Sequence, residues 1–486
     1  MSGPATFSFL GITREARAVD DWNHPEWAKL WLYNLHYFDD LNADGASERT
    51  DWHRALVARW IAENPPAAGN GWEPYPASLR IVNWVKWALA GNVLADEARH
   101  SLAVQVRWLC RRLEWHLLGN HLLANAKALV FAGSFFGGAE AEGWRKQGFA
   151  ILARELPEQI LEDGGHFERS PMYQAIILED LLDLLQLSQH WPGLVEASVV
   201  AGWRAKANAM LGWSAAMCHP DGEIAFFNDA AIGIAPDLAA LVDYARLSGI
   251  GPPSAPAALR HFASSGYVRA QVGTAVLMAD VGEIGPDYLP GHAHADTLSF
   301  ELSVQGQRVV VNSGISEYGV GAERLRQRGT AAHSTVQIDG EDSSEVWGGF
   351  RVARRARPFD LTAREEGETV VIEGSHDGYA RLKGRPIHHR QWRLGSRRLC
   401  VTDTISGQRR EAIARYHLHP SVAAFGGTGV GILRLPSGKN VHWSVSGGTA
   451  SIVASTFHPA FGVTLPSQCI ELRFEGARAS ILFEWG

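Results

Sequence analysis

From about residue 25 to residue 250 the apolar positions recur at helical spacing. In Leu79-Arg80-Ile81-Val82-Asn83-Trp84-Val85-Lys86-Trp87-Ala88-Leu89, the residues Val82, Val85 and Leu89 fall near one face of a helix. Leu122 to Phe131 is rich in Ala and Leu, and Ile176 to Leu187 repeats Leu among acids, as an amphipathic or buried helix would. Breaks containing Gly or Pro separate these segments: Asn64-Pro65-Pro66-Ala67-Ala68-Gly69, Phe136-Gly137-Gly138, Asp163-Gly164-Gly165 and His190-Trp191-Pro192-Gly193. Repeated helix pairs of this kind predict a toroid or a solenoid of helical hairpins. No clean sequence repeat decides between them.

After Gly249-Ile250-Gly251-Pro252-Pro253 the period shortens to two. Thr297 to Val304 alternates polar and apolar residues, Gln305-Gly306 follows, and Arg308-Val309-Val310-Val311-Asn312 returns, which reads as a β-hairpin. Ser334 to Ile338 ends at a second turn, Asp339-Gly340, and strands recur to Ile481-Leu482-Phe483-Glu484-Trp485. The expected class is therefore α+β and multidomain, with helices over residues 1–250 and antiparallel strands over 251–486. A β-sandwich is the natural closure for so many short strands.

Composition narrows the function classes. The 486 residues are 46% hydrophobic and 20% charged, ordinary for a soluble globular protein of several domains. A formal net charge of −7 provides no global basic field, so no nucleic-acid partner is expected, and an acidic ligand would need locally concentrated positive charge. Two local clusters exist, Arg324-Leu325-Arg326-Gln327-Arg328 and Arg351-Val352-Ala353-Arg354-Arg355; a solvated face explains either equally well. The four cysteines, Cys110, Cys218, Cys400 and Cys469, are far apart and read as free and mostly buried. Met1 to Arg14 holds no visible signal peptide, which leaves localisation open. No apolar run approaches the roughly 20 residues of a membrane span. The eighteen tryptophans should be mostly core, with a minority free to stack on the C–H faces of sugars.

Four segments hold residues suited to chemistry: Gly119-Asn120-His121-Leu122 at a helix start, Asp163 to Gln174, Gly291-His292-Ala293-His294-Ala295-Asp296, and Arg328 to Val336. Each has a bland alternative. Asn120 could cap its helix. His121 could be an ordinary surface residue, and Tyr173 a core tyrosine with a satisfied hydroxyl. His292 and His294, two residues apart, share a face if the backbone is extended.

Together, Asn120-His121 before a helix, Arg169-Ser170-Pro171-Met172-Tyr173, His292-Ala293-His294-Ala295-Asp296 before a strand, and Thr330-Ala331-Ala332-His333-Ser334-Thr335-Val336 stand in the order found in the heparinase II/III-like lyases. The resemblance runs from about Leu32 to the C-terminus. It implies a helical (α/α) toroid followed by an antiparallel β-sandwich, with an acidic, uronate-containing polysaccharide bound in a cleft between them and cut by β-elimination. That reaction removes a poorly acidic C5 proton, so donors must stabilise the substrate carboxylate, a base must take the proton, and an acid must protonate the leaving O4. The resemblance assigns Tyr173 as acid and, on some substrates, base. It gives the base role for the other C5 epimer to His121 or His292, and the carboxylate contact to Asn120 with one or both histidines. Some relatives hold a divalent ion through His, Asp and His. The matching positions here are His294, Asn312 and His333, where Asn312 departs from the pattern by offering a neutral oxygen that should weaken binding. A structural zinc or manganese ion is expected there, the alternative being a hydrogen-bonded histidine pair.

Arg80, Glu168 and Arg169 are candidate contacts to the glycan, arginine because its fork suits carboxylate and sulfate. Trp347 is a candidate groove residue or a packed strand-edge residue. Two rival functions are a toroid-fold glycoside hydrolase, which would need two carboxylic residues drawn from Asp163, Glu168 and Asp229, and a non-catalytic glycan-binding protein of polysaccharide metabolism.

Overall fold

The helical spacing is realised as helices. The computed structural model describes residues 1–408 and 411–486. After a short N-terminal ribbon, it holds α1 (Lys29–Tyr37), α2 (Thr50–Glu63), α3 (Pro74–Leu89), α4 (Asp96–Cys110), α5 (Gly119–Phe135), α6 (Ala139–Gln159), α7 (Pro171–His190), α8 (Ala197–Ala216) and α9 (Leu238–Leu247). Local chemistry sets the boundaries. Pro171 opens α7, where its missing N–H is no loss, and the Ser170 hydroxyl caps it by accepting the Tyr173 N–H at 3.2 Å. The link between α5 and α6 is only three residues long, which forces an antiparallel hairpin. Val82 and Val85 of α3 are buried as expected, but Leu89 is exposed because it is the helix's last residue.

Packing divides the chain into two compact units, Met1–Gln159 and Ile160–Gly486. The change from helix to strand falls between Leu247 of α9 and the strand Leu259–Phe262, so α7, α8 and α9 belong to the second unit. One reason is an apolar cluster in which Trp213, Ala216 and Met217 pack with Phe262, Tyr267 and Met278. A buried His219–Glu301 contact at 2.6 Å adds a polar tie.

In the first unit the tryptophans build the core. Trp60 meets Trp84 edge to face at 5.8 Å and Trp72 at the same distance, and Trp22, Trp31, Trp60 and Trp84 are fully buried.

The second unit contains two facing antiparallel sheets. One runs Pro358–Glu366, Thr369–His376, Ile387–Gly395, Arg398–Ser406, Arg478–Trp485, Asn440–Ser446, Val430–Arg434, Ala423–Gly426. The other runs Gly448–Phe457, Leu465–Phe474, Ala412–Leu418, Gln307–Val311, Phe300–Val304, Ala275–Asp280, Tyr267–Val272, Leu259–Phe262, with Val336–Ile338 also paired to Ala412–Leu418. Trp392, Leu399 and Phe483 of the first sheet share one core with Phe300, Leu302 and Tyr416 of the second, which makes a β-sandwich. Both expected turns form. Gln305-Gly306 has φ of 53° and 79°, and Asp339-Gly340 has 53° and 73°; two residues at positive φ match the right-handed twist of the strands they join. A short helix, α10 (Ala322–Arg328), lies between the strands Gln307–Val311 and Val336–Ile338. Among the described residues no helix is long and apolar enough to cross a membrane.

Candidate functional site

In the first unit Asn120 is not a cap. Leu118, at φ 56°, occupies the N-cap position of α5, and Asn120 is the second residue inside the helix, 4% exposed. Its neighbour His121 is braced: Nδ1 lies 3.0 Å from Glu114 Oε1, and its ring lies 4.5 Å from that of Tyr75. Glu114 is held in turn, because Asn125 Nδ2 donates to its Oε2 at 2.9 Å while the Glu114 N–H donates to Asn125 Oδ1 at 2.8 Å. A carboxylate accepts only, so His121 carries its proton on Nδ1 and leaves Nε2 as the nitrogen for other partners.

Arg80, expected at the substrate, is a core residue instead. It is fully buried, donates to Gln105 Oε1 (2.9 Å), the His36 carbonyl (3.2 Å) and the Gly71 carbonyl (2.7 Å), and lies 3.9 Å over the Trp60 ring. Burial drives its pKa well below the usual arginine range. The helical period put Arg80 on a face that packs inward, so it cannot reach a glycan.

In the second unit, Tyr173 and His292 meet. Their ring centroids are 4.0 Å apart, and the Tyr173 hydroxyl is 3.1 Å from that of Tyr318. Ser170 fixes the start of α7, and so Tyr173, by donating its hydroxyl to the Asp229 carbonyl. Asp229 organises the rest. Its Oδ2 lies 2.8 Å from His292 Nδ1 and 2.7 Å from Arg324 Nη2; its Oδ1 lies 2.8 Å from His294 Nε2 and also accepts from Arg324 Nη1. All four lone-pair positions of the carboxylate are filled. Asp229 and Arg324 are both fully buried. Burial alone would raise the Asp229 pKa, but the Arg324 charge and the hydrogen bonds from His292, His294 and Arg324 hold it well below the carboxylate range. An ionised Asp229 dictates the tautomers: His292 carries its proton on Nδ1 and keeps a lone pair on Nε2, while His294 carries its proton on Nε2 and keeps a lone pair on Nδ1.

That lone pair faces His333. His294 Nδ1 and His333 Nε2 are 3.2 Å apart, a spacing suited either to a hydrogen bond or to two nitrogen ligands each about 2.0–2.1 Å from one ion. Burial pushes the His294 pKa down to about 4, which keeps the ring neutral, the form that binds metal. The third expected ligand fits less well. Asn312 Oδ1 accepts the Ser334 N–H at 3.0 Å, and its buried Nδ2 has no hydrogen-bond partner. Among the described residues no group of three or more His, Cys, Asp or Glu converges on a metal position. The expected ligands, two imidazoles and one neutral amide, would suit no more than weak binding.

Other expected residues divide. Glu168 is buried, with its carboxylate 3.9 Å from His166 Nδ1, and so has no open face for a glycan. Arg169 sits at φ 59°, its carbonyl accepts from the Tyr267 hydroxyl (2.6 Å) and Asn228 Nδ2 (3.0 Å), and its guanidinium donates to the Glu283 carbonyl. Trp347 is 56% exposed on a two-stranded ribbon, Val346–Trp347 with Arg351–Val352, so it is not a packed edge residue. The arginine clusters split by face. Arg324 and Arg328, four apart, point inward, while Arg326 is exposed. Arg354 pairs with Glu345, and Arg355 with Asp287.

Sequence reasoning undervalued Asp229, which it considered only as a hydrolase carboxylate, and missed Arg324 and Tyr318 as site residues. The i,i+4 spacing of Arg324 and Arg328 was the available signal.

Two family models cover most of the chain: "Heparinase II/III N-terminus" matches residues 50–243 and "Heparinase II/III-like, C-terminal" matches residues 254–485. The chain belongs to the heparinase II/III-like family. Among curated relatives of this heparinase II/III-like chain, a heparin-sulfate lyase of Bacteroides stercoris is 25% identical over 295 residues, covering 55% of this chain and 41% of the relative. FtsZ-localized protein C of Caulobacter vibrioides is 28% identical over 385 residues, covering 73% of this chain and 61% of the relative. The matched region thus spans less than two thirds of either relative's length. A crystal structure of heparinase III shares the fold, with a TM-score of 0.76, 17% identity, and coverage of 98% of this chain and 79% of that one.

Proposed function

We propose that this heparinase II/III-like protein is a polysaccharide lyase that cuts acidic, uronate-containing glycans, glycosaminoglycans foremost, by β-elimination. The observation that carries the reading is the Tyr173–His292 pair at 4.0 Å, with His292 held by a buried, ionised Asp229 so that its basic nitrogen is Nε2. In this reading a base, the Tyr173 phenolate oxygen or a histidine Nε2 according to the C5 epimer, removes the C5 proton. The electron pair left on C5 becomes the C4–C5 double bond as the C4–O4 bond breaks, and the Tyr173 phenol gives its proton to O4. Tyr318, hydrogen-bonded to the Tyr173 hydroxyl, is available to return a proton to it. Asn120 and His121 keep the role that the family pattern implies, donors to the uronate carboxylate in the manner of an oxyanion hole. Arg169 and Trp347 remain candidate contacts to the glycan, through charge and stacking.

A weakly held divalent ion, zinc or manganese, belongs to the proposal as a structural element on His294, His333 and Asn312. Such an ion would supply charge that ties three segments of the β part together, and the proton transfers do not need it.

The hydrolase reading loses support because its carboxylates are engaged. Asp163 accepts from the backbone N–H groups of Ser265 (2.7 Å) and Gly165 (3.0 Å), and Asp229 is saturated. One observation favours a second reading, a glycan-binding protein without turnover: the Caulobacter vibrioides relative, whose match covers 73% of this chain, is named for its localisation with FtsZ. Incubation with hyaluronan, chondroitin, heparan sulfate and alginate separates the three. Growth of ultraviolet absorbance from the unsaturated product supports the lyase. New reducing ends without absorbance would replace it with the hydrolase, and binding without cleavage would replace it with the second reading.

A further inference from the structure

Phe350 touches the candidate site and is also open to water. Its ring centroid lies 5.8 Å from that of His292 and 5.2 Å from that of Tyr318. The planes cross at 78° and 71°, so neither neighbour stacks flat upon it. The Arg324 guanidinium lies 5.3 Å from its centroid. Even with these contacts Phe350 is 42% exposed. A large apolar ring left in water beside a reacting pair is a surface for an apolar partner.

The ring is held rigidly in that position. In the two-stranded ribbon, Val346 and Val352 stand opposite each other and pack with Ile284 and Ala293. Two fully buried arginines of α10 fix the tip between those strands. Arg324 Nε donates to the Gly349 carbonyl at 3.1 Å, and Arg328 Nη1 donates to the Gly348 carbonyl at 3.2 Å. Arg328 also donates from Nε and Nη2 to the Ala293 carbonyl, at 3.2 and 2.8 Å. That carbonyl lies between His292 and His294 in the chain. One guanidinium therefore ties the backbone beside His292 to the backbone beside Phe350. Gly349 is needed for this approach, because a Cβ there would overlap the Gly319 carbonyl. Burying two cations is costly, and here they hold an exposed ring at a set distance from a histidine. A ring so held loses little freedom when a ligand covers it.

We propose that Phe350 is a specificity-determining residue. Its open face stacks on the C–H face of the pyranose adjoining the uronate whose C5–H meets His292, and Arg328 is the positioning residue that sets the spacing between ring and base. The proposal rests on the polysaccharide reading above. Because the Phe350 and His292 rings meet edge to face, a sugar stacked on Phe350 lies beside the base and does not cover it. The unit stacked there is a hexosamine, whose C–H face is uncharged whatever its amino group carries, so the contact accepts N-acetyl and N-sulfo units alike. Covering the open part of the ring is worth on the order of tenfold in affinity.

The test measures binding, so it does not depend on turnover. Dissociation constants are measured for a hyaluronan and a heparan sulfate hexasaccharide, at low and high salt, in the Tyr173→Phe protein, which leaves the ligand uncut. The same protein carries in addition Phe350→Leu, which keeps apolar volume without a flat ring, or Phe350→Trp, which keeps the ring. Phe350→Leu should weaken both ligands about tenfold, and by the same factor at both salts, since stacking offers no charge to screen. Phe350→Trp should stay within about threefold. Melting temperatures show that each variant is folded; if Phe350→Leu is not, Phe350→Met takes its place, because its unbranched side chain adapts to the same space. Unchanged binding in the folded leucine or methionine variant overturns the proposal. So does a loss that shrinks as salt rises, a tryptophan variant as weak as the leucine one, or absence of binding to both ligands. If the affinities are as expected but the unsubstituted protein yields no unsaturated product, the subsite stands and the lyase reading fails.

Discussion

Asp229→Asn is the substitution whose consequences follow most directly from the geometry. Each carboxylate oxygen of Asp229 accepts one guanidinium N–H from Arg324 and one imidazole N–H, from His294 on Oδ1 and from His292 on Oδ2. Asparagine has one oxygen and one NH2 group. In either amide orientation the NH2 faces one Arg324 donor and one histidine donor, so that Arg324 hydrogen bond is lost and the histidine one survives only if the ring changes tautomer. If it faces His292, that ring must accept with Nδ1, which moves its proton to Nε2 and removes the basic nitrogen. If it faces His294, the lone pair aimed at His333 disappears. Arg324, fully buried, is left without its counter-charge. Removing one partner of a buried pair destabilises by about 3–5 kcal/mol, and loss of an oriented general base slows turnover by at least about 100-fold. Urea denaturation reads the first quantity and the initial rate of ultraviolet absorbance reads the second. Adding Arg324→Met to Asp229→Asn removes the stranded charge and should restore most of the stability while turnover stays low. Turnover within about threefold of the parent in folded Asp229→Asn would refute the reasoning. A double variant that regains rate and stability together would show that the pair serves packing alone.

Four further outcomes are expected. Tyr173→Phe should lower turnover at least about 100-fold with little change in melting temperature, because the ring and its packing stay and the hydrogen bond to Tyr318 is worth about 1 kcal/mol. Asn120→Ala should leave out the roughly 1 kcal/mol cost of a lost cap, since Leu118 holds the cap position, while turnover falls by the roughly 3 kcal/mol of a lost oxyanion donor; stability and rate measured together check both. Arg80→Ala should act on stability and not on KM, losing three buried hydrogen bonds and the Trp60 stack, about 3 kcal/mol or more by denaturation. Asn312→Asp, with one oxygen still accepting the Ser334 N–H and the other free as an anionic ligand, should raise the melting temperature on adding zinc or manganese without a large change in turnover. Elemental analysis of both proteins checks the ion itself.

Much of the architecture was legible along the chain because its causes are local. A period of 3.6 residues gives way to a period of two, so the order of helices and strands follows from the sequence, as do turns such as Gln305-Gly306 that need two residues at positive φ. The motif order likewise pointed to Tyr173 and His292. Burial and partnership were not legible, because they are set by segments distant in sequence. Arg80 looked like a free cation until Gln105, His36 and Gly71 were folded around it. Asp229 became the hub only when residues 292, 294 and 324 converged on it, more than sixty positions away. The same holds for the packing division after Gln159, which no change of composition marks and which arises because α8 packs Trp213 and Ala216 with the strands while α7 and α9 pack with α8 and with each other. A sequence specifies which residues can carry a charge; only the tertiary structure decides which charges are withdrawn from water, and there a single counter-ion determines the tautomer and the chemistry left available.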